Sequence, residues 1–326
     1  MRLGVVFPAI PNAVYRAIEP MRALERRGHH VVWPQPGGKG DLKRLHGCDV
    51  VHIYRDYTEN ARRGIAQLQG MGIAVTYDND DDFTAVPPES PSFKRDGGMA
   101  GQRFFNDSVK VARMVRSMVT TGPVLAEKYR SAGVRRVEVI DNHVPLGLER
   151  PRIAHEGVVI GWVAALEHLA DARRIPIVDA LEQVQAKHRD VHVECIGVDL
   201  KLKERYRHAD ALAFDQLPGR IGGFDIGIAP LADIPYNRAR SDIKLKEYAA
   251  SGVPWLASPV GPYLDHGEDQ GGWLVPDDGW FEALDRLVSK RLLRWRLARK
   301  ARAWAARNTT DAAVEHWERF FAQAAG

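Results

Sequence analysis

Cysteine is nearly missing from this sequence. Two occur in 326 residues, Cys48 and Cys195. They lie far apart, each in or beside an expected strand, and neither has metal-ligand spacing. They read as reduced core thiols, not as a disulfide framework. Long apolar runs are also absent. Nothing approaches the roughly 20 consecutive apolar residues of a membrane-spanning helix. The opening MRLGVVFPAIPNAVYRAIEP does not read as a secretory leader, because prolines break its short apolar run and no small-residue cleavage site follows. It reads as a first core strand, and the expected location is cytoplasmic. There is no low-complexity tract and no repeat of solenoid period, which excludes stacked-repeat architectures. Charge imbalance is slight, with 46 Lys and Arg against 42 Asp and Glu and a net charge of +4. The pI of about 9.0 permits an anionic partner without requiring one.

What is present is an alternation of short apolar runs and amphipathic helices. The length suffices for two domains. In the first half, strands are expected at 3–7, 30–33, 49–54, 74–77, 118–121 and 137–140. Helical periodicity falls between them, notably over 12–27, where Val14, Ile18, Met21 and Leu24 share a face that ends at Gly28. The stretch from Asp78 to Gly101 is rich in Pro, Asp and Gly and reads as a functional loop or lid. A polar linker, LGLERPRIAHE (146–156), precedes a second alternating series. Its strands are expected at 158–164, 192–198, 212–214, 225–229, 255–258 and 271–275, with a helix over 171–188. Such alternation indicates α/β architecture: two doubly wound parallel sheets, each covered on both faces, with their strand ends around one cleft.

The densest chemical pattern is FDIGIAPLADIPYNRARSDIKLKEYAASGVPWLASPVGPY (224–263). A buried strand runs into a loop carrying Asn237, Arg238 and Arg240. Ser241 is the expected helix N-cap, and Lys244 and Glu247 lie on the helix that follows. Fixed cations at a helix N-terminus suit an anion, because free N–H groups and the helix dipole both favour negative charge. Glu247, one turn further in, suits sugar hydroxyls. Phosphate and hydroxyls together point to a nucleotide or a nucleotide-sugar.

The order Asp225, Pro230–Leu231, Asn237–Arg238–x–Arg240–Ser241, Lys244–x–x–Glu247–Tyr248, Gly252–x–Pro254 resembles the donor-binding segment of GT-B-fold glycosyltransferases, in particular the retaining family 4 group. The resemblance runs nearly the whole length, through YRAIEPMRALERRGHHV, VTYDNDDDF, VTTGPVLAEKYRSAGVRRVEVIDNHVP and VVIGWVAALEHLAD. It implies two Rossmann-like domains, 1–148 for the acceptor and 149–308 for the donor, with a final helix (309–326) crossing back to the first. It implies a retaining, metal-independent transfer of a sugar from a UDP- or GDP-linked donor to an acceptor hydroxyl, with no cofactor. Arg238 and Lys244 would stabilise the departing diphosphate. Gly161, Trp162, His168, Asn237, Arg240, Ser241 and Glu247 would complete the donor site. This sequence departs from the pattern at Ala239, where the family commonly has a second Glu. The sugar contact that Glu makes is absent or supplied by a neighbour.

Across the expected cleft, Asp78, Asp80, Asp81 and Asp82 follow one strand. Clustered carboxylates need cations, hydroxyls or a metal beside them. Asp78, Asp80 and Asp81 are assigned to the acceptor with Tyr15 and Arg16; a metal-binding Asp-x-Asp pair is the alternative. The acceptor class stays open: a saccharide, a lipid-linked group, a protein or modified DNA. The segment KRLLRWRLARKARAWAAR (290–307) reads either as a solvated amphipathic helix pair, with Leu292, Leu293, Leu297 and the tryptophans turned to the core, or as a contact for nucleic acid or a membrane surface. Competing functions are nucleotide-sugar binding without turnover, sugar transfer to modified bases in DNA, and epimerisation of a nucleotide-sugar.

Overall fold

Runs of Val, Ile and Leu that are buried on both faces make two parallel sheets in this computed structural model, which describes residues 1–10, 12–35, 41–148 and 153–326. The first sheet holds β1 (Arg2–Val6), β2 (His30–Val32), β3 (Val50–Tyr54), β4 (Ala74–Asp78), β5 (Ser117–Thr120) and β6 (Val137–Val139), in the order β2-β1-β3-β4-β5-β6. The second holds β7 (Val158–Ala164), β8 (Val191–Gly197), β9 (Tyr206–Ala209), β10 (Ile226–Ala229), β11 (Trp255–Ala257) and β12 (Gly272–Leu274), in the order β12-β11-β10-β7-β8-β9. The order reverses at β1/β3 in one sheet and at β7/β10 in the other. Crevices open at such switch points, outside the carboxyl ends of the strands. The expected boundary at 148/149 borders residues outside the described set.

Three local expectations are corrected. Residues 212–214 form no strand; the sixth strand partner is β9, at 206–209. Its residues Tyr206, Arg207 and His208 are half-buried or exposed at a sheet edge, so it lacks the apolar signature on which the sequence reading relied. The first helix does not run evenly from residue 12. Val14–Ile18 form a π-helical turn, and the regular helix α1 spans Glu19–Arg26. Pro20 has no N–H to return to the carbonyl of Arg16, so the regular ladder is interrupted there. The expected helix over 171–188 is split at Pro176 into Leu169–Arg174 and Ile177–Lys187, for the same reason.

Three further helices matter for the site: α2 (Ile243–Ala250), α3 (Arg291–Ala306) and α4 (Val314–Ala325). After α3 the chain returns to the first sheet. Val144 and Thr309 form a parallel bridge beside the interdomain crossing. Helix α4 then packs on α1, β3 and β4. Its residues Trp317, Phe320 and Phe321 are fully buried, with the His52 ring edge-on to all three. Trp317→Ala empties the centre of this cluster and is expected to cost about 3–5 kcal/mol. Urea unfolding followed by circular dichroism measures it; a loss below one kcal/mol would mean that the first domain does not depend on the returning helix.

Candidate functional site

One cavity of about 290 Å³ lies where the two sheets' carboxyl ends meet. Two hollows of larger volume lie at the start of β4 and β5 and beside Arg135 and Arg136. Those are at the amino ends of strands, where open parallel sheets do not place ligands.

The second domain supplies most of the cavity wall. Val163 and Ala164 end β7, Ala165 follows them, and Ile196 and Gly197 end β8. Leu212, Phe214 and Leu217 give an apolar side, and Tyr263 lies opposite. Arg240, Ser241, Ile243, Lys244 and Glu247 bring the polar side. The N-cap of α2 is Asp242, not Ser241, and its carboxylate makes no capping bond. It is taken by Lys246 and His266, both at 2.7 Å. Ser241 Oγ instead accepts from Asn142 Nδ2 at 3.0 Å. In the first turn of α2 the Leu245 N–H turns back to the Asp242 carbonyl at 2.9 Å, and Ile243 and Lys244, the two residues before it, line the cavity at the end where a helix leaves N–H groups without carbonyl partners.

Arg240 is the cavity's distinctive cation. Its guanidinium lies 5.1 Å from the centre of the Tyr236 ring. Its Nη1 is shut off from solvent and has no hydrogen-bond partner among the described residues. Burial disfavours its charge, but Tyr236, Asp81 and Glu167 outweigh that and raise its pKa. A buried, ionised donor without a partner is costly, and an anion in the cavity would satisfy it. Lys244 Nζ donates to Glu247 at 2.7 Å. Glu247 is 2% exposed and also accepts from the Tyr15 hydroxyl of the first domain.

The first domain's wall holds Asn12, Tyr15, Asp80, Asp81 and Asn142. Arg55, which the sequence reading missed, organises the aspartates. It donates through Nε to Asp80 at 2.6 Å and through Nη2 to Asp81. Tyr54 also donates to Asp80, at 2.8 Å. Burial opposes ionisation of Asp81, yet Arg55 and Arg240 hold its pKa below the usual carboxylate range. Asp80 goes the other way, because burial outweighs Arg55. Arg55 has φ of 52°, a left-handed conformation that β-strand residues rarely adopt. Its position one residue beyond β3, at the same sheet end as Asp78, was the available signal. No group of three or more potential metal ligands occurs among the described residues.

Several expected site residues lie elsewhere. Arg238 is exposed and paired with Asp233 at 2.6 Å, outside the cavity wall. The short helical turn Pro235–Arg238 aims it at solvent. Asn237 is buried, donating to Asp171 at 2.6 Å and to the Ala232 carbonyl at 2.9 Å. Gly161 and Trp162 sit within the sheet below the cavity; a Cβ on Gly161 would fall 2.1 Å from the Phe224 ring. Arg16 and Asp78 form a fully buried ion pair at 2.8 Å. His168 does reach the wall and is bonded through Nδ1 to Asp171 at 2.7 Å. Burial, with help from Arg240, lowers its pKa and keeps the ring neutral.

No protein-family model and no curated protein matches the sequence. Solved structures match its architecture. A sucrose-phosphate synthase from Thermosynechococcus elongatus superposes with a TM-score of 0.69 at 13% identity, covering 99% of this chain and 98% of that one. HepE of Anabaena, in complex with UDP-glucose, gives 0.65 at 15% identity, covering 98% of each chain. A glycosyltransferase from Rickettsia africae gives 0.64 at 15% identity, covering 99% and 98%. The chain has the GT-B fold. At these identities the likeness fixes the layout of sheets, cleft and returning helix; the reaction has to be argued from the cavity.

The GT-B cleft is bridged at its base by a charged cluster. Lys246 Nζ donates to Asp141 at 2.6 Å and to the Asn142 carbonyl at 2.8 Å. His143, next along, is pushed down to about 3 by burial and by the Lys246 charge. Its ordinary pKa is about 6.5. The unfolded chain therefore takes up a proton near that pH, which the folded chain refuses until far lower. Stability from neutral His143 is complete above about 6.5 and is lost as pH falls toward the folded value. Asp141 has the opposite sign. Burial and Asp242 push it up to about 7, so its contribution declines as pH rises to that point. Its side chain keeps 35% exposure, and solvent screening tempers the effect. His143→Gln removes only the first contribution. The variant's melting temperature minus that of the wild type should rise on acidification from about pH 6.5 downward. A constant difference across that range would show that His143 titrates alike in folded and unfolded chains.

Proposed function

We propose that this protein transfers a sugar from a UDP- or GDP-linked donor to an acceptor hydroxyl, with retention and without a metal. The observation that carries the reading is Arg240 Nη1, a buried cationic donor without a partner in a cavity that also presents Lys244 and the first turn of α2. That grouping suits the diphosphate, whose charge grows as the glycosidic bond breaks. Arg240 takes the role that the sequence reading gave to Arg238, beside Lys244. Glu247 receives ribose hydroxyls once Tyr15 and Lys244 release it. Leu212 and Phe214 offer a flat apolar surface to a base. Asp80 and Asp81, pinned by Arg55, receive the acceptor's hydroxyls. Residues 1–148 are the acceptor unit, 149–308 the donor unit and 309–326 the returning helix. No helix among the described residues is long and apolar enough to cross a membrane, and the reading places the reaction in the cytoplasm.

The cavity is small for such a donor, at the low end of the range for ligand sites. The cleft is held shut by single hydrogen bonds, Tyr15 to Glu247 and Asn142 to Ser241, and by an ion pair at its rim, Arg174 to Glu89 at 2.8 Å. Exposed pairs of that kind contribute little, so donor entry proceeds by separation of the domains. A second reading, binding without turnover, is favoured by Ala239. It is buried, and the cavity's only carboxylates are Asp80, Asp81 and Glu247 among the described residues.

Calorimetric titration with UDP and GDP tests the site. A charged hydrogen bond is worth about 1.5–3 kcal/mol, so Arg240→Ala should weaken binding roughly ten- to a hundredfold, and Arg238→Ala should leave it unchanged. The reverse result would return the donor site to the outer face of the loop. Turnover is tested by mass spectrometry of mixtures with nucleotide-sugars and candidate acceptors, with and without EDTA. Transfer should persist in the chelator. Loss restored by Mn²⁺ would revive a metal role for the aspartates, and tight UDP binding with no sugar release from any donor would favour the binder. Asp81→Asn should leave nucleotide affinity intact while slowing transfer; a loss of nucleotide affinity instead would move Asp81 to the donor side.

A further inference from the structure

The basic segment at 290–307 divides into two faces on folding. Helix α3 contains no acidic residue. Leu297, Ala298, Ala301, Trp304 and Ala305 turn inward, against α2 among others. Arg294 is buried too, donating to the Leu287 and Val288 carbonyls at 2.6 Å. The expectation that Leu292, Leu293, Leu297 and both tryptophans turn to the core holds for Leu297 and Trp304, leaves Leu293 half-buried, and fails for Leu292 and Trp295. Leu292 is 83% exposed and Trp295 is 58% exposed. They are adjacent on one helical face, at the spacing that makes side chains neighbours.

Cations surround this pair. Arg299 stands 5.0 Å from the centre of the Trp295 ring. Arg296 and Lys300 are neutralised by Glu268 and Asp269. Lys290, Arg291, Arg299 and Arg302 make no ion pair with any described residue. A single exposed Leu is ordinary. An adjacent Leu and Trp at the surface, ringed by cations without counter-charge, is a different pattern. It is the composition of an interfacial helix, with apolar tips on one stripe and excess Arg and Lys beside it.

We propose that this face of α3 docks reversibly on an anionic lipid bilayer. Leu292 and Trp295 enter the headgroup layer, and Lys290, Arg291, Arg299 and Arg302 meet lipid phosphates. Lipid is favoured over nucleic acid by Leu292, which gains nothing from phosphates or stacked bases but gains from leaving water. Trp is suited to the same layer, with an apolar ring and one N–H to keep wet. Two apolar tips make a weak anchor, so binding depends on charge and falls with salt. The proposal does not rest on the glycosyltransferase reading, because α3 contributes no residue to the cavity wall.

Vesicle co-sedimentation of the full chain tests it, with phosphatidylcholine alone and with equal parts phosphatidylcholine and phosphatidylglycerol. Binding is expected only to the second, at low salt. Each cation near such a surface is worth about fivefold in partitioning, so Arg299→Ala with Arg302→Ala should weaken it roughly 30-fold. Bromine-labelled phosphatidylcholine in the mixed vesicles should quench tryptophan emission in the wild type and not in Trp295→Phe. Melting curves confirm that these surface variants are folded. Absence of binding to anionic vesicles, equal binding to neutral ones, or quenching that survives Trp295→Phe would overturn the proposal. Duplex DNA binding that is lost in the double Arg variant, with no bromolipid quenching, would reassign the face to nucleic acid.

Discussion

The buried ion pair between Arg16 and Asp78 holds the architecture together where its parts meet. Arg16 lies in the π-helical turn before α1, and Asp78 ends β4. The guanidinium also donates to the Ile140 carbonyl and to Asn142 Oδ1 at the interdomain crossing, and it lies 5.2 Å from the centre of the Trp317 ring on the returning helix. One side chain thus touches the first helical turn, the first sheet, the interdomain crossing and the chain's last helix. Burying two charges is expensive, and their attraction repays it only when the remaining donors find partners. Here the Ile140 carbonyl and the Asn142 amide oxygen both take Nη1, while Arg16 Nη2 and Asp78 Oδ1 have no hydrogen-bond partner among the described residues. The consequence for the cavity is immediate. Tyr15 precedes Arg16, and its hydroxyl reaches Glu247 across the cleft. Asn142 follows the same logic from the other side, accepting from Arg16 while donating to Ser241.

From that frame the cavity inherits a division of charge. Its second-domain wall presents Arg240, the Lys244–Glu247 pair and a helix start, and its first-domain wall presents Asp80 and Asp81. Opposite charges across a narrow, partly dry gap attract, and Arg240 accordingly helps Arg55 to lower the Asp81 pKa. Each wall is preorganised by a residue that the opposite wall does not supply. Arg55 fixes the aspartates from within the first domain, and Tyr236 underlies Arg240 from within the second. Such fixed charges cost no reorganisation when an anion and a hydroxyl arrive between them.

Much of this was legible in the sequence where a local pattern carries the information. The strands β7, β8, β10 and β11 announce themselves as apolar runs because both their faces are buried. The loop-to-helix pattern around Lys244 and Glu247 is short-range and therefore readable. What could not be read was direction and depth. Arg238 and Arg240 are two residues apart and chemically alike in the string. One turn of helix sends the first toward Asp233, and the loop beyond brings the second into the cavity. Arg16 looked like a cleft residue because nothing local reveals that α4, nearly the whole chain away, covers it. Leu212 and Phe214 were apolar enough to suggest a strand, yet they serve a cavity wall, and the true edge strand β9 is too polar to stand out.

Gly161 makes the same point about mechanism. In sequence, a glycine at a strand end beside a phosphate site suggests close approach of backbone to ligand. In the structure Gly161 pairs in register with Gly227 across the β7/β10 switch point. Side chains from neighbouring segments fill the space the two glycines leave, Phe224 over one and Tyr248 over the other. The β7–β10 ladder pairs only Ile160 with Ile226 and Gly161 with Gly227, and beyond it the strands part. Tyr248 then does what the ladder no longer does. Its hydroxyl accepts from the Val163 N–H at 3.0 Å and donates to the Ile228 carbonyl at 2.8 Å. Buried backbone groups left bare by the splay would be costly, and a single phenol satisfies one on each strand. The Glu-Tyr pair on α2 therefore serves two ends at once: Glu247 faces the cavity, and Tyr248 wedges open the sheet beneath it. The glycines are small so that the wedge can enter, and the crevice exists because the wedge is there.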